Sequence, residues 1–425
     1  MADEPPAGGG AAGGYGRGAR ILSIGIASTG LFSFLYFAVA SHVLAPREYG
    51  AIALLWATLF ILTSVIYRPV EQLLSRTIAE RIARGAAGAH PLRVPLTLQA
   101  SFAAVFLVVV LLARDPVQDA FDGSAALYWT FVAAGVAYGA SYFARGYLAG
   151  HRWFALYGGL VLFEAVGRVC FPLAVAVGLA SGQTAVALGI AAAPLLSLLV
   201  VPAALARHAV PEDAATPGDA AGLTLRAGAG FAVAVAAVQL AEQTLVNAAV
   251  LTTRATAGSV LAGAVFNALL ITRAPLQLFQ AVQTTLLPHL TGLRTTEGDD
   301  DFARTIRVTL LAVAAFAASV ALGLLAIGPW AMDLVFGDDY AYGRWGLAVV
   351  ALGMGFHLAA GTLNQAALAR GRAAQAAVAW LAAAALFVCW MVVPAIEDEL
   401  LRAEVGYAAA TALLCAALWR LYRSS

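Results

Sequence analysis

Lysine is missing from this chain: all 25 basic residues are arginine. An all-arginine set reflects the coding bias of a GC-rich, bacterial genome and carries no chemistry by itself. Charge of either sign is scarce, at 12% of residues. A soluble chain of this length needs about a quarter of its residues charged to cover its surface. That shortage excludes an ordinary soluble domain. The formal net charge of +1 leaves no basic excess to displace counterions, which excludes nucleic acid as a partner. Cysteine is nearly absent as well. Cys170, Cys389 and Cys415 lie inside apolar runs, without metal-ligand spacing or the loop setting of a disulfide, so a packing role is expected. No carboxylate pair, metal cluster or nucleophile–base set is present, and no outer loop is long enough to carry one. An enzyme, a cofactor and a metal centre are therefore not expected.

What the chain has instead is apolar length. Hydrophobic residues make up 61% of it, and the mean hydropathy is +0.83. A membrane span needs roughly 20 apolar residues. By that measure the spans fall near 21–44, 50–70, 94–113, 125–147, 155–178 and 185–206, then 227–250, 259–287, 308–330, 345–369, 376–396 and 405–421. The Gly/Ala/Pro-rich residues 1–19 read as a disordered cytoplasmic tail. The stretch from Ile21 to Leu44 is too long for a signal-peptide core and is the first span.

Arginine placement orients the spans. With a cytoplasmic N-terminus, inner segments hold 17 arginines and outer segments 5, and the alternation holds through all twelve spans. Arg145 and Arg152 count among the inner ones. The outer loops are acidic: Asp115, Asp119 and Asp122, then Asp338 and Asp339, then Glu397, Asp398 and Glu399. Both termini are expected inside.

The two halves echo one another. Arg68, Pro69 and Gln72 match Arg273, Pro275 and Gln277 at offsets of about 205, Arg93-Val94 matches Arg307-Val308, and the longer inner loops recur near 71–93 and 288–307. The expected fold is all-α and integral to the membrane: about twelve helices in two parallel six-helix lobes around a central cavity. The N-lobe covers 20–208, a linker 209–225 and the C-lobe 226–425. Parallel repeats of this kind bind substrate between the lobes near the midplane, so the chain reads as a two-lobed transporter. Within 76–93, a surface helix on anionic lipids competes with a plain inner loop.

Short motifs narrow the class. Leu44-Ala45-Pro46-Arg47-Glu48-Tyr49-Gly50 resembles the L-x-P-x-E-Y-G turn of polysaccharide-precursor flippases, members of the multidrug/oligosaccharidyl-lipid/polysaccharide exporter superfamily. Arg145-Gly146-Tyr147-Leu148-Ala149-Gly150 with Phe154, Phe336-Gly337-Asp338-Asp339-Tyr340 and the Gly371-Arg372 turn add to the likeness. It covers residues 20 to about 375. The resemblance implies that the chain flips a polyprenyl-diphosphate-linked oligosaccharide across the bacterial cytoplasmic membrane, for surface polysaccharide assembly. Its implied partners are that lipid-linked glycan, membrane lipids and polysaccharide assembly enzymes. The Glu48-Tyr49-Gly50 turn itself is read as a helix cap with an interfacial aromatic anchor ahead of a direct ligand contact.

Charges inside spans cost about 2.5–3.5 kcal/mol each on insertion scales and mark cavities or partners. Here they are Arg68 and Glu71, Glu164 and Arg168, Glu242, and Arg273. Arg68 with Glu71 (i, i+3) and Glu164 with Arg168 (i, i+4) have the spacing of intrahelical pairs. Glu242 and Arg273 have no such neighbour; they pair across spans 7 and 8 or line the cavity. Arginine's planar fork suits a diphosphate. The candidate headgroup site is therefore Arg68, Arg168, Arg273 and Gln277, with Glu71, Glu164 and Glu242 balancing charge or carrying a coupling ion. Pro69 and Pro275 would break their helices beside the arginines. A cation-coupled multidrug or small-molecule exporter on the same scaffold is the rival function. A major-facilitator transporter ranks below both, because Ser75-Arg76-Thr77-Ile78-Ala79-Glu80-Arg81 lacks the motif expected there.

Overall fold

The computed structural model describes residues 28–84, 92–199, 201–202, 225–273, 299–370 and 372–424. The expected tail, nearly all of the linker, and Pro275 and Gln277 lie outside them. The first half comprises α1 (Ser28–Val43), α2 (Pro46–Leu62), α3 (Arg68–Arg84), α4 (Arg93–Leu112), a short α5 (Arg114–Ala120), α6 (Ala125–Gly150), α7 (Phe154–Ala176) and α8 (Gly182–Leu198). The second comprises α9 (Leu225–Ala257), α10 (Ser259–Arg273), α11 (Asp299–Phe336), α12 (Arg344–Ala369), α13 (Ala373–Val392) and α14 (Glu399–Arg423).

Among the described residues, 8 helices are long and apolar enough to cross a membrane, counting Pro46–Ile82 as one, and α1, α8 and α10 are shorter apolar helices. The 26-residue α6 has the length of a span but carries Arg145, Ser141 and several tyrosines. Together these make the twelve expected. The fourth and sixth spans (α6 with α8, α12 with α14) pack against each other in both lobes, and so do the fifth and sixth.

Several expected loops are helical. The segment after span 2 stays helical to Arg84 because it contains good helix formers, and Arg76 pairs with Glu80 one turn on at 2.6 Å. The inner loop expected at 288–307 is helical from Asp299. One of the acidic outer residues caps a helix. Asp398 accepts from the amides of Leu400 (2.9 Å) and Leu401 (3.1 Å) at the start of α14, which satisfies two otherwise unpaired donors. Cys415 is half-buried and packs against the core as expected, whereas Cys170 and Cys389 are exposed.

Span 2 contains a widened turn. Residues Thr63–Tyr67 form a π-helical turn, closed by the Arg68 amide on the Thr63 carbonyl. Proline explains it. Pro69 has no N–H to give Val65, and its ring crowds that carbonyl. The extra residue in the turn relieves the clash without ending the helix. The break expected beside Arg68 is therefore a bulge that leaves the chain helical on both sides.

The two lobes meet tightly at the end that carries the acidic loops. Pro46 opens α2, and the Glu48 carboxylate accepts the Ala45 amide at 3.3 Å, so the turn is indeed a helix cap. Tyr49, however, is not an interfacial anchor. It is fully buried, donates to Asn267 of α10, and lies 5.0 Å from the Tyr340 ring. Phe37 meets Phe266 at 4.6 Å in the same seam. Gly50 packs directly on the Ser259 backbone, where only a residue without Cβ fits. With Gly263 one turn along α10, this is the small-residue crossing by which membrane helices approach closely.

A polar latch covers that seam. Asp122 accepts from Ser259 (2.6 Å), Arg254 (2.9 Å) and Arg47 (3.3 Å). Burial would raise the Asp122 carboxyl's pKa, but these donors outweigh it and hold the group below the usual carboxylate value. At the arginine-rich end the lobes touch through apolar side chains, Val70, Leu73 and Leu98 against Ala229 and Ala232.

Candidate functional site

Between the two seams lies a cavity of about 220 Å³, walled by α1, α2, α6 and α7 on one side and α9 and α10 on the other. Its charged core is built on α6 and α7. The Glu164 carboxylate is bridged by two guanidinium groups: Arg145 at 2.5 Å on Oε2 and Arg168 at 3.0 Å on Oε1. Ser141 donates to the same carboxylate at 3.1 Å. Arg168 also donates to Tyr138 (2.8 Å) and Ser33 (3.3 Å), and its guanidinium carbon lies 4.2 Å from the centre of the Trp56 ring. Arg145 lies 4.5 Å from the Tyr142 ring. Aromatic faces of this kind stabilise a desolvated cation.

Two features make the cluster more than a neutralised pair. The Nε–H groups of Arg145 and Arg168 are buried and have no hydrogen-bond partner, an arrangement that costs free energy unless something accepts from them. Arg273, at the end of α10, also lines the cavity. The described lining thus carries three guanidinium groups against the single carboxylate of Glu164, a formal charge of +2.

The sequence candidates divide. Arg168, Glu164 and Arg273 converge on this cavity, and the expected Glu164–Arg168 pair is present. Arg68 and Glu71 form no direct ion pair; the π-turn and the neighbouring helices direct them elsewhere. Arg68 donates across the lobes to Gln239 at 3.2 Å, and Glu71 accepts from Tyr157 at 2.8 Å. Both line a second pocket of about 430 Å³ between α3, α6 and α7. Glu242 accepts from Gln239 at 3.3 Å and lies within electrostatic reach of Arg273 and the buried His357, whose ring faces Trp380 at 5.3 Å. Gln277 lies outside the described residues.

Arg145 is the residue that sequence reasoning misplaced. Counted with the inner-loop arginines, it is in fact buried within α6. Tyr138, Ser141, Tyr142 and Arg145 recur every three to four residues and form one polar stripe on that helix, a signal that was legible. Its neighbour Gly146 lets α6 press on α3, since a Cβ there would lie 2.8 Å from the Glu71 carbonyl oxygen. Among the described residues, no cluster of three or more His, Cys, Asp or Glu could hold a metal ion.

No protein-family model and no curated protein matches the chain. Solved structures do. An inward-facing multidrug resistance MATE family transporter of the MOP superfamily aligns with TM-score 0.73 and 13% identity, covering 95% of this chain and 97% of that one. The eukaryotic MATE transporter AtDTX14 aligns with TM-score 0.68 and 11% identity over 97% and 96%. A MOP superfamily transporter from Pyrococcus furiosus, described as having a binding pocket of reverse polarity that suggests a different function, aligns with TM-score 0.65 and 14% identity over 96% and 95%. At these identities the neighbours show the fold, an all-helical two-lobed architecture of the kind expected from the sequence. The chain is a multi-pass membrane protein with the two-lobed fold of MATE-type transporters.

Proposed function

We propose that this chain moves an amphiphilic anion across the bacterial cytoplasmic membrane, and that the anion is a polyprenyl-diphosphate-linked oligosaccharide destined for surface polysaccharide. The observation that carries the reading is the cavity's charge: three guanidinium groups against one carboxylate, two of them with unpaired buried Nε–H donors. A cavity of that polarity raises the local concentration of anions and repels cations. Guanidinium forks match phosphate oxygens in pairs. Positive-inside placement makes the arginine-rich end cytoplasmic, the side on which such a headgroup would be loaded. Assembly enzymes on the far side would then accept the glycan.

The second reading is a multidrug exporter. It is favoured by one observation, that the structural neighbours include transporters described as conferring multidrug resistance. Proteoliposomes separate the two. A fluorescent prenyl-diphosphate sugar should cross from the loaded leaflet in a protein-dependent way, while a lipophilic cationic dye should not. Dye movement without movement of the prenyl diphosphate would replace the first reading with the second.

A further inference from the structure

The pocket beside the central cavity has no role in the mechanism so far, and its chemistry repeats that of the cavity. Arg68, Glu71, Ser75 and Arg76 of α3 face Ala149 and Tyr157 across about 430 Å³. Arg68 is exposed to it, and Arg76, paired with Glu80, stands at the same end of the lobe. Two observations connect the pocket to the cavity. Arg68 and Arg145 are both within electrostatic reach of Glu71, Tyr142 and Tyr157. The close approach of Gly146 to the Glu71 backbone sets Arg145 directly behind the pocket wall. Neighbouring charges alternate in sign: Glu71 lies between Arg68 and Arg145, and Glu164 between Arg145 and Arg168.

We infer that this pocket is a separate loading subsite for a phosphate group, from which the group passes along the alternating charges to Arg145 and Arg168. The inference rests on the proposed transport of a diphosphate-bearing lipid and adds where that headgroup first binds. The alternation has a physical rationale. A phosphate leaving water needs the next cation within reach before it releases the last, because an unpaired charge in a low-dielectric interior is costly. The carboxylates between the arginines keep each station from holding the phosphate too tightly, as multi-site conduction requires. The aromatic hydroxyl of Tyr157, bonded to Glu71 at 2.8 Å, can turn its donor to a phosphate when one arrives.

The test is site-directed protection in proteoliposomes. Cys170, Cys389 and Cys415 are replaced by serine and Ala149→Cys is introduced, with Ser75→Cys as a second reporter on the facing wall should the first fail to fold. A membrane-impermeant maleimide labels from the arginine-rich side, with farnesyl diphosphate as the probe and farnesol as its phosphate-free control. At four times its Kd the probe should slow labelling about fivefold, and farnesol should not. Arg68→Gln should abolish protection. Arg168→Gln should keep it while transport is lost, because loading precedes the deeper site. Equal protection by inorganic pyrophosphate would support the phosphate chemistry and assign the source as free phosphate in place of the lipid. Unchanged labelling in vesicles that still transport the prenyl diphosphate would overturn the subsite and leave the transport reading standing. Protection without transport would do the reverse.

Discussion

Closure of the acidic-loop end depends on a residue with no side chain. An ideal Cβ on Gly50 would lie 1.9 Å from the Ser259 carbonyl oxygen, against about 3.3 Å for a tolerable carbon–oxygen contact, so Gly50→Ala must part α2 and α10 by roughly 1.4 Å. Backbone, not a flexible side-chain tip, is what must move. Adding that displacement to the 2.6 Å Asp122–Ser259 bond and the 2.9 Å Asp122–Arg254 bond takes both past hydrogen-bonding range. Tyr49–Asn267 crosses the same seam and is lost with them. Neutral bonds contribute about 1 kcal/mol each and those to charged groups about 1.5–3. Roughly 4–7 kcal/mol of closure is therefore at stake, about a thousandfold or more in population. A cysteine at Leu270, which lines the cavity, reads the effect: in the cysteine-free background an impermeant maleimide on the acidic-loop side should label it about tenfold faster or more when Gly50 is alanine. Gly159→Ala is the control, since nothing lies within 4 Å of its new methyl. Labelling of the Gly50→Ala protein at the wild-type rate would refute the seam as a gate.

Three further outcomes follow from the charged residues and the bulge. In detergent unfolding, Glu164→Gln should be the most destabilising of the triad substitutions, by about 3–5 kcal/mol, because it strands two buried guanidinium groups. Arg168→Gln should rank next and Arg145→Gln last, since each leaves the other ion pair intact but Arg168 also bonds Tyr138 and Ser33 and packs on Trp56; any other order would contradict the bridging geometry. The latch carries a pH signature. Asp122 is held below the usual carboxylate value, so its contribution is fully present above about pH 4 and is lost only as pH falls through that lowered value. The rate of Leu270→Cys labelling divided by its rate when Asp122→Asn is also present, both taken at the same pH so that thiol ionisation cancels, should accordingly stay well below one from neutral pH into the mild acid range and approach one only below it. Pro69→Ala returns the N–H that the Val65 carbonyl lacks. It should let the π-turn tighten, displace Arg68 from Gln239 and slow prenyl-diphosphate transport about ten- to hundredfold, without changing membrane insertion measured by fractionation.

How much of this was readable in the residues follows from which forces act locally. Span positions were legible because apolar length and arginine alternation are properties of contiguous sequence; α4, expected at 94–113, is Arg93–Leu112, and α12, expected at 345–369, is Arg344–Ala369. The Glu164–Arg168 pair was legible for the same reason, since both partners lie on one helix face. Arg68 and Glu71 had equally good spacing and do not pair, because the π-turn before them and two other helices supply partners that no local pattern encodes. Tyr49 failed differently. A tyrosine near a span end has the composition of an interfacial anchor, yet a second helix buries it when Gly50 lets α10 approach.

Arg145 shows how the local and non-local signals conflict. Near the end of a span, arginine is normally a topological marker, and the positive-inside rule reads it that way. Glu164 overrides the rule. A carboxylate already committed to one guanidinium by helical spacing still has a second oxygen, and Ser141 and Arg145 occupy it. The same surplus of donors that makes the triad costly to fold leaves two Nε–H groups unanswered inside the cavity. Arg254 and Arg402 leave the same Nε–H unpaired in structural ion pairs, so an orphaned donor alone does not mark a site. What sets Arg145 and Arg168 apart is that they line an open cavity with Arg273 and a single carboxylate, and that excess of positive charge is the physical reason to expect an anion there.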